Sequence, residues 1–100
     1  MATTPLPDKQ ISDGLSKLPG WERDGDKLKK TFKLDTYMAG LALASAIGTV
    51  CEALDHHPDL FIGWKRVEVG FSTHDAGNKI SQKDLDAAAK VEALGYPRAK

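Results

Sequence analysis

Three histidines carry most of the chemistry available to this sequence of 100 residues. His56 and His57 are adjacent and followed by Pro58, His74 comes later in the chain, and Glu52, Asp55 and Asp59 flank the pair. Imidazole changes charge close to neutral pH, so one ring can give and take a proton within a single cycle. A helix ending here would set its partial negative charge beside the rings, and the neighbouring carboxylates would add to it. Both favour the protonated ring. That is a general acid–base environment. Glu52 and His56 fall at i, i+4 and would share one face of such a helix. A plain polar cap and turn is the alternative use of the same residues.

Other chemistries fit less well. His56, His57, His74 and Glu52 are all acceptable zinc ligands, yet neighbouring residues point apart in both helices and strands, and no His-Glu-x-x-His or paired-cysteine motif accompanies them. The single cysteine, Cys51, falls on an apolar helical stripe, where a thiol behaves as a small hydrophobe. It also excludes an internal disulfide. No serine sits in a nucleophile elbow, and no glycine-rich loop could cradle a phosphate. Fourteen basic and fourteen acidic side chains cancel. A nucleic-acid or membrane-surface binder would carry a basic excess, so neither partner is expected. No apolar run is read as a membrane span and no leader is read at Met1 to Pro5, so the expected location is the cytoplasm.

The elements that must position these residues follow from pattern. At 41% hydrophobic and 28% charged residues the composition is that of an ordinary globular chain. A single domain over residues 1–100 is expected, with residues 1–6 as a loose lead-in. Pro7 suits a first helical position, and Ile11, Leu15 and Leu18 recur at helical spacing before Pro19-Gly20, although Gly14 weakens that helix. Trp21 opens a strand, Asp24-Gly25 is a hairpin dipeptide, and Leu28 to Leu34 alternates, with Lys30 the one mismatch on its apolar face.

Asp35 is the expected N-cap of the longest helix, whose stripe is Tyr37, Leu41, Ala44, Ile47, Cys51 and Leu54, widened by Met38, Ala42, Ala46 and Val50. Pro58 ends it near Asp55 or His56. A β region then runs from Phe61 to Thr73, broken at Gly63, with Val67, Val69 and Phe71 inward. Trp64, Ser72 and His74 share parity on the wet face. Trp64 there suits stacking on a flat heterocycle, with packing or a subunit interface as the alternative. Ser81 and Asp84 form a capping box for a last helix with inner residues Leu85, Ala88, Val91 and Leu94, ended by Gly95 and Pro97. The expected class is α+β, order α-β-β-α-β-β-α: two layers, a four-stranded antiparallel sheet with helices packed on one face.

These residues together resemble the pterin-4a-carbinolamine dehydratase family. The likeness rests on Glu52-Ala53-Leu54-Asp55-His56-His57-Pro58, Trp64, Ser72-Thr73-His74 and Asp84, and continues through Leu18-Pro19-Gly20-Trp21 and the Phe32 strand. It covers about residues 6 to 94. The resemblance implies a hydro-lyase that removes water from a 4a-hydroxytetrahydropterin, the product of an aromatic amino acid hydroxylase, to give quinonoid dihydropterin for tetrahydrobiopterin recycling. No metal or redox cofactor is implied.

Carried over by position, His56, His57 and His74 are the catalytic residues, with His56 and His74 moving protons and His57 binding the hydroxyl. Glu52 would orient His56, Asp55 and Asp84 would support the site, and Trp64, Ser72 and Thr73 would bind substrate. The loop after His74 is one residue longer than the family's usual one, which leaves Asp86 as an alternative to Asp84. Leu60 stands where many members have an aromatic, and Lys83 where some have Arg. Homodimers or homotetramers are implied. The second function the family carries is that of a dimerisation cofactor for a transcription factor, acting through the helical face.

Overall fold

The alternation in Leu28 to Leu34 and Val67 to Phe71 puts apolar side chains on one side of each strand, and three helices cover that side. In a computed structural model, which describes residues 3–95, the elements are α1 (Asp8–Leu15), β1 (Glu22–Asp24), β2 (Lys27–Lys33), α2 (Tyr37–Leu54), β3 (Asp59–Gly63), β4 (Arg66–Phe71), a 3-10 turn (His74–Ala76) and α3 (Gln82–Glu92). The four strands form one antiparallel sheet in the order β1-β2-β4-β3. The fold is α+β, as the sequence implies. Pro97 lies outside the described residues.

Register explains the core. Leu28 faces Phe71 and Phe32 faces Val67 across β2 and β4. All four are buried, with Leu43, Ile47, Leu85, Ala88 and Val91 of α2 and α3 packed over them. Lys30 shares this face, opposite Val69, yet its ammonium escapes the apolar layer. It donates to the Pro19 carbonyl at 3.0 Å, pairs with Glu92, and lies 4.9 Å from the centre of the Phe32 ring. Glu92 also accepts from Trp21 Nε1 at 2.8 Å. A long stem packed on apolar surface with a paired head is how a lysine occupies such a position.

Four expectations need correction. The N-cap of α2 is Thr36, whose hydroxyl accepts from Ala39 N–H at 3.0 Å, because Leu34 is still bonded to Lys65 and the chain turns one residue later than Asp35. The buried stripe of α2 is Gly40, Leu43, Ala44, Ile47 and Cys51, while Tyr37 and Leu54 are exposed at its ends. Helix α2 also has the length and apolarity of a bilayer span, with a mean hydropathy of 1.5, contrary to the sequence expectation; here its inner stripe is spent on the sheet. The lead-in is not wholly loose, since Leu6 N–H donates to Ile80 O at 2.9 Å and its side chain packs on the core. Gly14, which weakens α1 in isolation, has a packing reason: a Cβ there would sit 2.5 Å from Leu85 Cδ1.

Candidate active site

The end of α2 sets the geometry. Asp55 adopts the left-handed conformation (φ 51°, ψ 42°), Asp55 N–H donates to Glu52 O, and His56 N–H donates to Cys51 O at 3.1 Å. This is a Schellman-type closure, in which the last helical carbonyls are satisfied as the chain turns away. The helix therefore stops before the histidines, and the i, i+4 relation between Glu52 and His56 is lost. Glu52 Oε2 instead lies 2.7 Å from His57 Nε2, in an exposed pair.

His56 turns inward. Its ring is nearly parallel to that of Phe71, with centres 5.8 Å apart and planes 7° apart, and Phe71 in turn stacks on Trp21. Its Nε2 lies 2.6 Å from Asp84 Oδ1. Asp84 is wholly buried at the third position of α3. Its other oxygen, Oδ2, accepts from the Thr73 hydroxyl and from Ser81 N–H, both at 2.8 Å. The capping box read in the sequence is present, and its carboxylate also holds a histidine that follows the end of α2. The alternative, Asp86, is exposed and bonded to Gln82 Nε2 at 2.9 Å.

A cavity of about 400 Å³ opens where these elements meet, lined by Asp55, His56, His57, Ser72, Thr73, His74, Asp75 and Lys83. That volume falls within the range of small-molecule sites. The adjacent His56 and His57 and the distant His74 thus share one pocket. A groove of about 430 Å³ between α1 and α3, lined by residues such as Gln10, Asp13, Lys17 and Gln82, contains no histidine, so chemistry favours the former.

His74 is exposed at the first residue of the 3-10 turn. The nearby Asp59 carboxyl is held below the usual carboxylate range, chiefly by its hydrogen bond and charge pairing with Lys27 at 2.7 Å and in smaller part by His74. Burial pushes the Cys51 thiol up, away from nucleophilic use. Among the described residues no group of three His, Cys, Asp or Glu side chains is arranged to hold a metal ion.

Trp64 is not brought to this pocket within the chain. It occupies the turn between β3 and β4, 69% exposed, stacked on Tyr37 with ring centres 6.3 Å apart. The six residues of β4, at about 3.3 Å each, put it roughly 20 Å from the Ser72 end. Ser72 lines the cavity, whereas the Thr73 hydroxyl is committed to Asp84. Sequence reasoning read Ser81 only as a cap and gave Phe71 only a core role. Lys83, which lines the cavity and lies 3.8 Å from Asp75, was noted only as a departure from the family pattern.

Comparison with known proteins places nearly the whole described chain in a family. Residues 4–94 match the family model described as pterin 4 alpha carbinolamine dehydratase. The chain belongs to this family. A relative from Natronomonas pharaonis, provisionally named a pterin-4-alpha-carbinolamine dehydratase, is 46% identical over 91 residues, covering 89% of this chain and 98% of that one. A similarly named relative from Chromobacterium violaceum is 41% identical, covering 91% and 83%. The crystal structure of a transcriptional coactivator/pterin dehydratase from Brucella melitensis superposes with a TM-score of 0.84 at 26% identity, covering 91% of this chain and 98% of that chain. A pterin dehydratase-like protein described as a RuBisCO assembly factor shares the fold at a TM-score of 0.60 and 22% identity, covering 77% and 89%.

Proposed function

We propose that this protein dehydrates a 4a-hydroxytetrahydropterin to the quinonoid dihydropterin, as the names of its relatives indicate for them. The observation that carries the reading is the single cavity lined by His56, His57 and His74, with His56 held by a buried carboxylate. In the reaction the C4a–O bond breaks, the departing hydroxyl takes a proton and leaves as water, and a ring N–H gives up a proton as the C=N bond forms. No electrons are exchanged with a cofactor. Two proton-transfer groups on either side of one ring meet that requirement. In this reading His56 and His74 move the protons, and His57, tied to Glu52, engages the hydroxyl. Ser72 contributes a polar wall. An aromatic amino acid hydroxylase is the reaction class that would supply such a substrate.

The test is an assay of quinonoid formation on freshly generated 4a-hydroxytetrahydropterin, with and without a chelator. Turnover above the spontaneous rate that chelation does not change is expected. Chelator-sensitive turnover, or none, would overturn the reading.

A protein-binding role is the second reading, and one observation favours it. Met38 and Leu54 on α2, Leu60 and Ile62 on one face of the edge strand β3, Phe61 on its other face and Trp64 in the turn after it are all exposed apolar residues. An edge strand with free main-chain groups beside apolar side chains is a natural surface for another chain. A second copy is the proposed occupant, giving the homodimer or homotetramer expected of the family. Sedimentation should show an oligomer for the native protein and a monomer for Phe61→Lys. An unchanged sedimentation coefficient in the variant would place the contact elsewhere.

A further inference from the structure

Buried hydroxyl groups near an active site have a definite donor order, and here that order can be worked out by counting protons. Asp84 sits among three polar neighbours: Thr73 Oγ1 and Ser81 N at 2.8 Å from Oδ2, and His56 Nε2 at 2.6 Å from Oδ1. The amide of Ser81 can only donate. Thr73 gives its one hydroxyl proton to the carboxylate, so the contact of 2.6 Å between Thr73 Oγ1 and Ser81 Oγ must carry the proton of Ser81. Ser81 Oγ, having donated, accepts in turn from Lys83 N–H at 3.2 Å. Every proton runs toward Asp84. Thr73, Ser81 and Asp84 are each almost fully buried, so water does not compete for these positions.

The geometry points to Thr73 and Ser81 as positioning residues that anchor Oδ2 of Asp84, so that its acceptor-only carboxylate keeps Oδ1 aimed at His56 Nε2, places the proton there and makes Nδ1 the atom that exchanges protons in the cavity. Nδ1 has no hydrogen-bond partner within the described residues, whereas Nε2 is consumed. A histidine whose one nitrogen is bonded to a carboxylate has its tautomer and its ring orientation set by that bond. Stacking on Phe71 restrains the same ring against tilting. Thr73 thereby acts through Asp84 and His56 rather than on substrate.

The effect on turnover rests on the dehydratase reading, and the tautomer does not, so the test reads both. In the ¹⁵N-labelled full-length protein at a pH where His56 is neutral, side-chain nitrogen–proton correlations should show His56 protonated at Nε2 and bare at Nδ1, with His56→Gln identifying the signals. Thr73→Val removes one donor from Oδ2 and leaves the Ser81 hydroxyl without its acceptor. It should mix the two tautomers and lower kcat about tenfold with KM changed less than about twofold. Thr73→Ser should restore both. Ser81→Ala removes the next hydroxyl and should show the same change in weaker form if Thr73→Val does not fold.

A native spectrum with the proton on Nδ1 overturns the inference whatever the variants do. So does a Thr73→Val protein with native spectrum and native kcat. Tautomer mixing in Thr73→Val without any dehydratase turnover in the native protein would sink the dehydratase reading and leave the positioning role standing.

Discussion

Replacing His56 and His74 together by alanine is expected to reduce the catalysed rate of pterin dehydration by about 10²–10⁴-fold, the usual range for positioned acid–base groups, while leaving the fold and self-association in place. The asymmetry follows from where the two rings stand. His74 is exposed at the start of a 3-10 turn and has no side-chain hydrogen bond to another described residue, so its loss costs the fold little. His56 is mostly covered, and among the described residues its ring is held by the Phe71 stack and the Asp84 bond, so its loss lowers stability but removes no part of the apolar core.

Stopped-flow measurement of quinonoid formation, with the uncatalysed rate subtracted, checks the first half. Sedimentation checks the second. The subtraction matters because this substrate also loses water unaided. Full activity in the double variant would remove the histidines from the mechanism. Lost activity with lost association would tie the pocket to the interface and would favour the protein-binding reading instead.

Several local signals in the sequence are borne out, although the Asp35 cap and the Glu52–His56 pairing are not. Asp24-Gly25 signals the β1–β2 hairpin, whose loop falls one residue later at Gly25-Asp26, the alternation of Val67, Val69 and Phe71 gives β4 its buried face, and Ser81 with Asp84 gives the cap of α3. Each is decided by residues only a few positions apart. The pairing of Glu52 was misjudged because one left-handed residue, Asp55, ends the helix before the i, i+4 relation is complete. Asp is one of the few residues besides Gly that adopt this conformation readily, yet nothing in the spelling Leu54-Asp55-His56 requires it.

Trp64 was misplaced for a related reason. Parity along a strand says which face a residue occupies, but not how far along the face it lies, and the turn after Gly63 puts Trp64 at the far end. The link from Asp84 to His56 crosses from α3 to the end of α2. Periodicity cannot see it, and the family motif supplied only the two residue identities.

Asp84 is where stability and chemistry are most tightly joined, and two substitutions should separate them. Asp84→Ala removes the acceptor for three donors at once: the Thr73 hydroxyl, Ser81 N–H and His56 Nε2. Breaking a buried, hydrogen-bonded charged group typically costs about 3–5 kcal/mol, and loss of one half of the capping box is included in that figure. For a chain of this length the melting temperature should fall by more than about 10 °C. Asp84→Asn has nearly the same shape. Its carbonyl oxygen can still accept from Thr73 and Ser81 N–H, so most of the stability should remain.

The other end of that amide is an N–H₂, however, and it faces His56 Nε2. A donor there demands a bare Nε2, which drives the proton to Nδ1 and removes the lone pair from the atom facing the cavity. Asp84→Asn should therefore melt within a few degrees of the native protein, yet dehydrate pterin at least about a hundredfold more slowly, by the wrong-tautomer effect known from other histidine–carboxylate pairs. Thermal unfolding and turnover measured on both variants check this. Equal losses of activity in proportion to equal losses of stability would mean that Asp84 only holds α3 in place.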